Sequence, residues 1–278
     1  MFGLALTSLG TLLQEISTSI GKWEVGHRRE SLYTFGVLNL IWGGAIFSVL
    51  VLAGKFEFVF SAASWPTFLA RALLELVQIH VTLIAITRAD RSSMGFVRAG
   101  TIPLLLLADI FLGYKLAPLQ ILGVAVILAG ILFFFFDRQL PKQGMGFALF
   151  GTVNAVFTIS LYKYNVTNFN SVAGEQLLMH AVLLAYLFTL AYFFAKENPL
   201  SFLRRRVFFA QSAADGLAGV LESFALAFLP PSVFIAAKRS FAILWSTLSG
   251  GIYFHEKHVL VRALLVLVLV AGIILLAG

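Results

Sequence analysis

The sequence predicts an all-α membrane protein with about ten transmembrane helices, arranged as two inverted five-helix repeats. Three observations lead to this fold class: an apolar composition, a series of long apolar runs, and short matches between the two halves. The 278 residues are 60% hydrophobic and 12% charged, whereas soluble domains are about half apolar and about a quarter charged. A chain this poor in charge is expected to face lipid over much of its surface.

Long apolar runs follow one another along the whole chain. A spanning helix needs about 20 mostly apolar residues, and its backbone groups are hydrogen-bonded within the helix. Strands of a membrane β-barrel would be about half as long and would alternate apolar with polar residues, which these runs do not. The first run has no basic segment or small-residue cleavage site, so we expect a retained helix and not a signal peptide. The predicted spans are residues 2–20, 33–53, 64–87, 92–112, 118–136, 143–163, 172–195, 207–229, 232–253 and 260–277.

Short sequence matches relate the two halves of the chain. Residues 129–132 (AGIL) match residues 271–274 (AGII), and residues 3–6 (GLAL) resemble residues 146–149 (GFAL). We therefore predict that residues 1–140 and 141–278 are two copies of a five-helix unit. The odd number of spans would insert the second copy in the opposite direction, an arrangement typical of transporters. Chance similarity among apolar helices is the alternative.

Positive charges are distributed unevenly between the loops. Loops after odd-numbered spans carry 13 of the 20 Lys and Arg residues, loops after even-numbered spans carry 3, and 4 lie within spans. Cytoplasmic loops are enriched in Lys and Arg, which predicts a multi-pass protein of the cell (inner) membrane with both termini outside. This distribution accounts for the net charge of +7 without nucleic acid, so the expected partners are the lipid bilayer and a small-molecule solute.

Three basic residues within the spans are candidates for binding an acidic solute. Lys238 and Arg239 lie in the first half of the ninth span, and Arg98 occupies nearly the equivalent place in the fourth. A charge at this depth costs at least about 2.5 kcal/mol, and Arg and Lys bind carboxylate and phosphate groups. The alternatives are that these cations neutralise buried carboxylates or reach the membrane interface.

Polar residues of the third and eighth spans form a second set of candidates. Asp215 and Glu222 are seven residues apart, so they share one helical face, and His80 is the repeat equivalent of Glu222. This set is expected either to contact the solute or to pair with Lys238 or Arg239, and the sequence leaves both open.

Carboxylates inside the spans are also candidates for coupling or charge balance. Glu15 lies well inside the first span, and a buried carboxylate is a good proton carrier because burial disfavours its charged form. We therefore interpret Glu15 and Asp215 as candidates for proton coupling or charge balance, with cavity lining or pairing to a base as the alternative for Glu15. Arg71 and Glu75, four residues apart, are expected to pair on one helical face.

The sequence contains no motif that indicates an enzyme or a cofactor. It has no phosphate-binding loop and no nucleophile with an adjacent base. His255 and His258 are three residues apart, whereas the metalloprotease motif requires four, and cysteine is absent. We therefore expect a protein that is not an enzyme and that holds neither a metal nor a cofactor.

Two stretches of the chain resemble a known family. The first half has residues 111–118 (FLGYKLAP) followed by Leu122-Gly123 and Ala129-Gly130, and the second half has residues 231–233 (PSV), 238–240 (KRS) and 254–257 (FHEK), then Arg262 and Ala271-Gly272. On these residues the chain resembles the EamA-type branch of the drug/metabolite transporter superfamily over its whole length. Tyr114 stands in the first half where Glu256 stands in the second, which departs from the family's pattern.

The resemblance implies a secondary carrier built from two five-helix repeats. Members carry amino acids, drugs, nucleotide sugars or sugar phosphates, and some have basic residues on the ninth helix that meet phosphate, which implies a binding role for Lys238 and Arg239. We therefore expect an exporter or exchanger of a small polar metabolite, anionic or zwitterionic, that works by alternating access and is coupled to a proton or a counter-solute. The alternative is a non-transporting partner subunit or sensor whose buried charges are fully paired.

Overall fold

The structure is a computed structural model that describes residues 1–27, 29–88, 98, 100–136, 145–253 and 259–277. These residues form eleven α-helices and no strand, which confirms the all-α prediction. Ten longer helices are labelled in chain order, and a one-turn helix, Pro199–Phe202, lies between the seventh and the eighth. The labels are α1 (Phe2–Gly26), α2 (Leu32–Leu52), α3 (Trp65–Arg88), α4 (Thr101–Phe111), α5 (Pro118–Phe136), α6 (Met145–Asn168), α7 (Val172–Phe193), α8 (Arg206–Phe228), α9 (Pro231–Tyr253) and α10 (Val259–Ala277).

Each predicted span coincides with one of these helices, although the boundaries shift. The largest extension is in α1, which was predicted to end at residue 20 and continues to residue 26. Charged residues ended the apolar run, but a helix depends on backbone hydrogen bonds and continues past them. Buried Glu24 is paired with Arg29 at 3.3 Å, just beyond the end of α1. Residues 92–97 and 99 of the predicted fourth span lie outside the described residues.

Three of the helices are long and apolar enough to cross a membrane. They are Leu32–Leu52, Ala62–Ile84 and Val172–Phe193, with mean hydropathies of 2.1, 1.5 and 1.7. Large apolar side chains also point away from the protein, and Leu52 and Phe111 are 87% and 88% exposed. Such outward-facing side chains agree with a membrane environment.

The helices pack in a regular scheme. Helix α1 contacts α8 and α9, and α6 contacts α3 and α4. Helix α2 contacts α7 and α8, α3 contacts α7, α4 contacts α9, and α5 contacts α10. The largest apolar cluster joins α1, α4, α5, α6, α8, α9 and α10, while smaller clusters lie between α2, α3 and α7.

Two charged side chains hold the tight turn between α8 and α9. Lys163 of α6 donates hydrogen bonds to the carbonyls of Leu226 (3.0 Å) and Ala227 (2.7 Å) at the end of α8. Asp109 of α4 accepts hydrogen bonds from the backbone N–H of Ser232 (2.9 Å) and from its hydroxyl in the first turn of α9. A cation at a helix C-terminus and an anion at a helix N-terminus both complement the helix dipoles. These contacts fix the start of α9, the helix that carries Lys238.

Glycine permits the close approach of α2 and α8. A Cβ atom added at Gly216 would lie 2.4 Å from the Cβ of Trp42 and 2.6 Å from the backbone nitrogen of Gly43. One turn earlier, the hydroxyl of Ser212 donates a hydrogen bond to the carbonyl of Leu38. Because small residues let two helix backbones approach closely, this crossing sets the distance between α2 and α8.

We expect Gly216→Ala to destabilise the protein by about 1–3 kcal/mol, the usual cost of an extra methyl group in a packed core. The matched control is Gly219→Ala on the same helix, where an added Cβ would meet no atom within 4 Å. Thermal unfolding of the detergent-purified variants measures the difference. Equal stability of the two variants would contradict the close crossing.

Candidate functional site

A cavity of about 290 Å³ lies among seven helices, α1, α2, α3, α6, α7, α8 and α9. Both halves of the chain therefore contribute to its wall. Among the described residues, the charged groups that line it are Arg71, Glu75, Asp215 and Glu222. Its uncharged polar lining includes Gln14, Asn39, Thr158, Tyr162, Gln176 and His180. A concave site of this kind, with a few convergent polar groups, is the usual form of a small-molecule site.

A buried ion-pair network forms one side of the cavity. Arg71 of α3 lies 2.8 Å from Glu175 of α7 and 3.7 Å from Glu75, so the predicted pairing of Arg71 with Glu75 is confirmed. Glu175 is completely buried and also accepts hydrogen bonds from the side-chain amides of Asn165 (2.9 Å) and Asn170 (2.6 Å). A buried charge with this many donors is held in one position.

Aromatic and imidazole groups extend this network along the wall. The guanidinium carbon of Arg71 lies 4.7 Å from the ring centroid of Tyr162, a cation–π geometry. The Tyr162 hydroxyl donates to the carbonyl of Ser223 (2.9 Å) on α8. His180 of α7 is buried, and its Nδ1 lies 2.7 Å from the carbonyl of Gln176. Three helices are thereby joined by polar contacts at the cavity.

A second ion pair joins α8 and α9 at the cavity. The ammonium of Lys238 donates to Oε2 of Glu222 at 2.6 Å, with side chains only 18% and 11% exposed. Of the two alternatives for Lys238 and Glu222, the structure shows the pairing between them. Lys238 itself does not line the cavity, whereas Glu222 does. The cavity is therefore faced by the acidic partner of this pair.

Three atoms of the cavity-lining side chains are buried and have no hydrogen-bond partner among the described residues. They are Oδ1 of Asn39, Nε of Arg71 and Oε1 of Glu222. Buried polar atoms are normally satisfied, because leaving one without a partner costs about 1–3 kcal/mol. All three atoms belong to side chains that line the cavity.

Four of the predicted site residues lie elsewhere in the structure. Arg98 and Arg239 are close enough for their positive charges to interact, and Nε of Arg239 has no hydrogen-bond partner among the described residues. His80 lies beside Tyr186, whose hydroxyl is 3.2 Å from its Nδ1, and its ring stacks on Tyr33. Glu15 lies on α1 and is partly buried. None of these four is part of the cavity lining.

Sequence reasoning missed Glu175, Tyr162 and His180. Each lies within or at the start of an apolar helix, where a single polar residue has no obvious partner in the sequence. The available signal for Glu175 was its position in the first turn of α7, next to Asn170 and Ser171, a cluster of polar residues at a predicted helix start.

The arrangement of His, Asp and Glu side chains bears on metal binding. Within the part of the chain that the structure describes, no three His, Asp or Glu side chains are placed to hold a metal ion. The segment 254–258, which contains His255 and His258, lies outside the described residues.

A buried carboxyl group lies in the loop between α1 and α2, away from the cavity. Glu30 is 3% exposed, and its Oε1 accepts a hydrogen bond from Gln211 at 3.3 Å. Burial raises the pKa of Glu30 from 4.5 to about 8, the hydrogen bond from Gln211 opposes this rise, and the negative charges of Glu24 and Glu197 add to it.

We expect Glu175→Gln to destabilise the fold by about 3 kcal/mol, because it removes the closest negative charge from a buried guanidinium. The matched control is Glu57→Gln at an exposed loop position, which should change stability by less than about 0.5 kcal/mol. Chemical unfolding of the purified variants measures both. Equal effects would contradict a structural role for the Arg71–Glu175 pair.

Glu30 is expected to make stability depend on pH. Because its folded-state pKa is about 8 instead of 4.5, its protonated form stabilises the folded state below pH 4.5, and this contribution is lost as pH rises toward 8. Relative to Glu30→Gln, the wild type should lose at most about 3.5 kcal/mol between pH 5 and pH 8. Parallel stability curves of the two proteins over this range would contradict the prediction.

Comparison with known proteins shows the fold. No protein-family model matches the chain, and no curated protein sequence is significantly similar to it. A solved structure, described only as the crystal structure of a protein, aligns with a TM-score of 0.75 over 98% of this chain and 98% of its own. The identity is 12%, so the likeness concerns the arrangement of helices alone.

Proposed function

We propose that this protein is a membrane carrier, a secondary active exporter or exchanger, that moves a small polar solute by alternating access through the cavity. The observation that carries this proposal is the unsatisfied polar atoms on a cavity formed by helices of both halves. A carrier needs a site between two parts that move relative to each other. Helices α1, α2 and α3 from the first half, and α6 to α9 from the second, supply such a site.

The packing scheme supports two inverted five-helix repeats. If each helix is exchanged for the one five positions away, the contact of α1 with α8 becomes the contact of α6 with α3. In the same way, α1 with α9 becomes α6 with α4, and α2 with α8 becomes α7 with α3. The contacts of α2 with α7, of α4 with α9 and of α5 with α10 are unchanged by the exchange. From this symmetry together with the sequence motifs, we propose that the chain is a member of the EamA-type branch of the drug/metabolite transporter superfamily.

The charges at the cavity favour a zwitterionic over an anionic solute. Lys238 is engaged by Glu222, and the lining contains three carboxylates beside Arg71. An anion would meet more like than opposite charge here. We assign coupling or charge balance to Asp215 and Glu15, with a proton or a counter-solute as the coupled species.

A partner subunit or sensor without transport activity is the competing function. It would have buried charges that are fully paired and no polar atom left for a solute. The unsatisfied Oε1 of Glu222 and Nε of Arg71 favour the carrier.

Filling the cavity tests the carrier function. Gly219 lines the cavity, and a Cβ added there meets no atom within 4 Å, so Gly219→Leu should place its side chain in the cavity while the protein stays folded. In proteoliposomes loaded with a panel of amino acids, we expect the variant to lose at least about nine-tenths of wild-type exchange.

The matched control for Gly219→Leu is Gly146→Leu near the start of α6, where an added Cβ also has open space. It should transport as the wild type does. Equal transport by Gly219→Leu, verified as folded by thermal unfolding, would show that the solute does not pass through this cavity. Absence of any transport by the wild type would favour the partner-subunit function.

The absence of cysteine makes the proposed membrane orientation directly measurable. Lys55→Cys lies in the loop between α2 and α3, and Ser201→Cys lies between α7 and α8; both positions are exposed. If odd-numbered loops face the cytoplasm, a membrane-impermeant thiol reagent added to intact cells should label the cysteine at 55 and not the one at 201. The opposite labelling would reverse the orientation, and equal labelling would contradict the predicted number of spans between them.

A further inference from the structure

We propose that the cavity recognises its solute by a primary ammonium group, held by the carboxylate of Glu222 with Asn39 and Asp215 as further acceptors. This inference rests on the proposed carrier function and names the chemical class of its solute. It makes that proposal more specific, because it states which charged group of a zwitterion the protein recognises.

The unsatisfied atoms are mainly acceptors. One oxygen of Glu222, Oε2, accepts a hydrogen bond from Lys238, and the other, Oε1, has no partner among the described residues. Oδ1 of Asn39 is also without a partner there. A primary ammonium has three N–H donors and no acceptor. It therefore matches these two unsatisfied oxygens and the carboxylate of Asp215, which also lines the cavity, better than a group that itself brings acceptors.

The cations near the cavity are already occupied or lie outside it. Arg71 contacts two carboxylates, Glu75 and Glu175. Lys238 is held by Glu222 and is not part of the lining. An incoming carboxylate would therefore compete with the protein's own carboxylates for Arg71. The free Nε–H of Arg71 is left to bind one acceptor at the far end of the solute.

The rest of the wall suits an aliphatic body of modest size. Leu40, Met179, Leu183 and Phe234 line the cavity together with the polar groups. With about 30 Å³ for each water-sized group, 290 Å³ accommodates a solute of roughly ten non-hydrogen atoms. A short aliphatic chain with an ammonium at one end satisfies both the acceptors and the apolar wall.

Four probes that share a linear four-carbon chain separate the possible recognition modes. L-norvaline has an ammonium and a carboxylate, n-butylamine only the ammonium, pentanoate only the carboxylate, and 1-butanol only a hydroxyl. Binding of each to the purified full-length protein at pH 7 is measured by titration calorimetry. We expect n-butylamine and L-norvaline to bind at least about tenfold more tightly than pentanoate and 1-butanol, since a charge-assisted hydrogen bond in a buried site has about that effect.

Variants of the proposed acceptors test whether these side chains bind the amine. Glu222→Gln should weaken amine binding by about tenfold or more, and Asp215→Asn by a smaller factor. Because Glu222→Gln also removes the partner of Lys238, Asn39→Leu serves as a second variant that removes an acceptor without changing a charge, and it should weaken amine binding severalfold. The matched control is Glu30→Gln, a buried carboxyl in the α1–α2 loop that is not part of the cavity lining, and it should bind as the wild type does.

The outcomes distinguish this inference from the carrier function on which it rests. Binding of pentanoate or 1-butanol as tight as that of the amines, or binding of none of the four, overturns the ammonium site. Amine binding unchanged in folded Asn39→Leu and Asp215→Asn also overturns it. If proteoliposomes transport pentanoate but not L-norvaline, the carrier function stands and the inference fails. If amines bind as expected but no probe is transported, the site stands and the carrier function fails.

Discussion

A charge buried among these helices is stabilised by a partner inside the protein, because neither a packed apolar interior nor hydrocarbon solvates it. Arg71 meets Glu175 across α3 and α7, and Lys238 meets Glu222 across α9 and α8. These two pairs flank the cavity and fix the relative placement of the four helices that carry them. The close contact at Gly216 then positions α2 against α8. The cavity is thus bounded by interactions that are costly to break.

The same constraint determines which polar atoms of the lining side chains remain without a partner. Arg71 pairs with Glu75 and Glu175, and Lys238 pairs with Glu222. The lining side chains keep three buried polar atoms that have no partner among the described residues: Oε1 of Glu222, Oδ1 of Asn39 and Nε of Arg71. Lys238 and Glu222 are an example: the cation occupies one carboxylate oxygen, and the other oxygen has no partner among the described residues. A transporter whose own charges were fully compensated would have little left with which to hold a charged solute.

Much of the fold could be predicted from the sequence, because apolar runs of membrane length determine where helices lie. The site was harder to predict, because the sequence orders residues along a helix but does not show which neighbour each one faces. The repeat register equated His80 with Glu222, yet His80 packs against Tyr33 and Tyr186, since equal depth in two helices does not imply equal rotation about their axes. Glu175 was missed for the same reason: its partner Arg71 is 104 residues away in the chain.

The most direct test of the carrier function is the accessibility of the cavity from the two sides of the membrane. Thr158 lines the cavity and is 3% exposed, and Thr158→Cys would carry the sole cysteine, since the sequence has none. The variant is treated with a membrane-impermeant thiol reagent in right-side-out and in inside-out vesicles. Alternating access predicts modification from both sides, with rates that shift in opposite directions when the transported solute is added. Modification from one side only, or from neither, would contradict alternating access through this cavity.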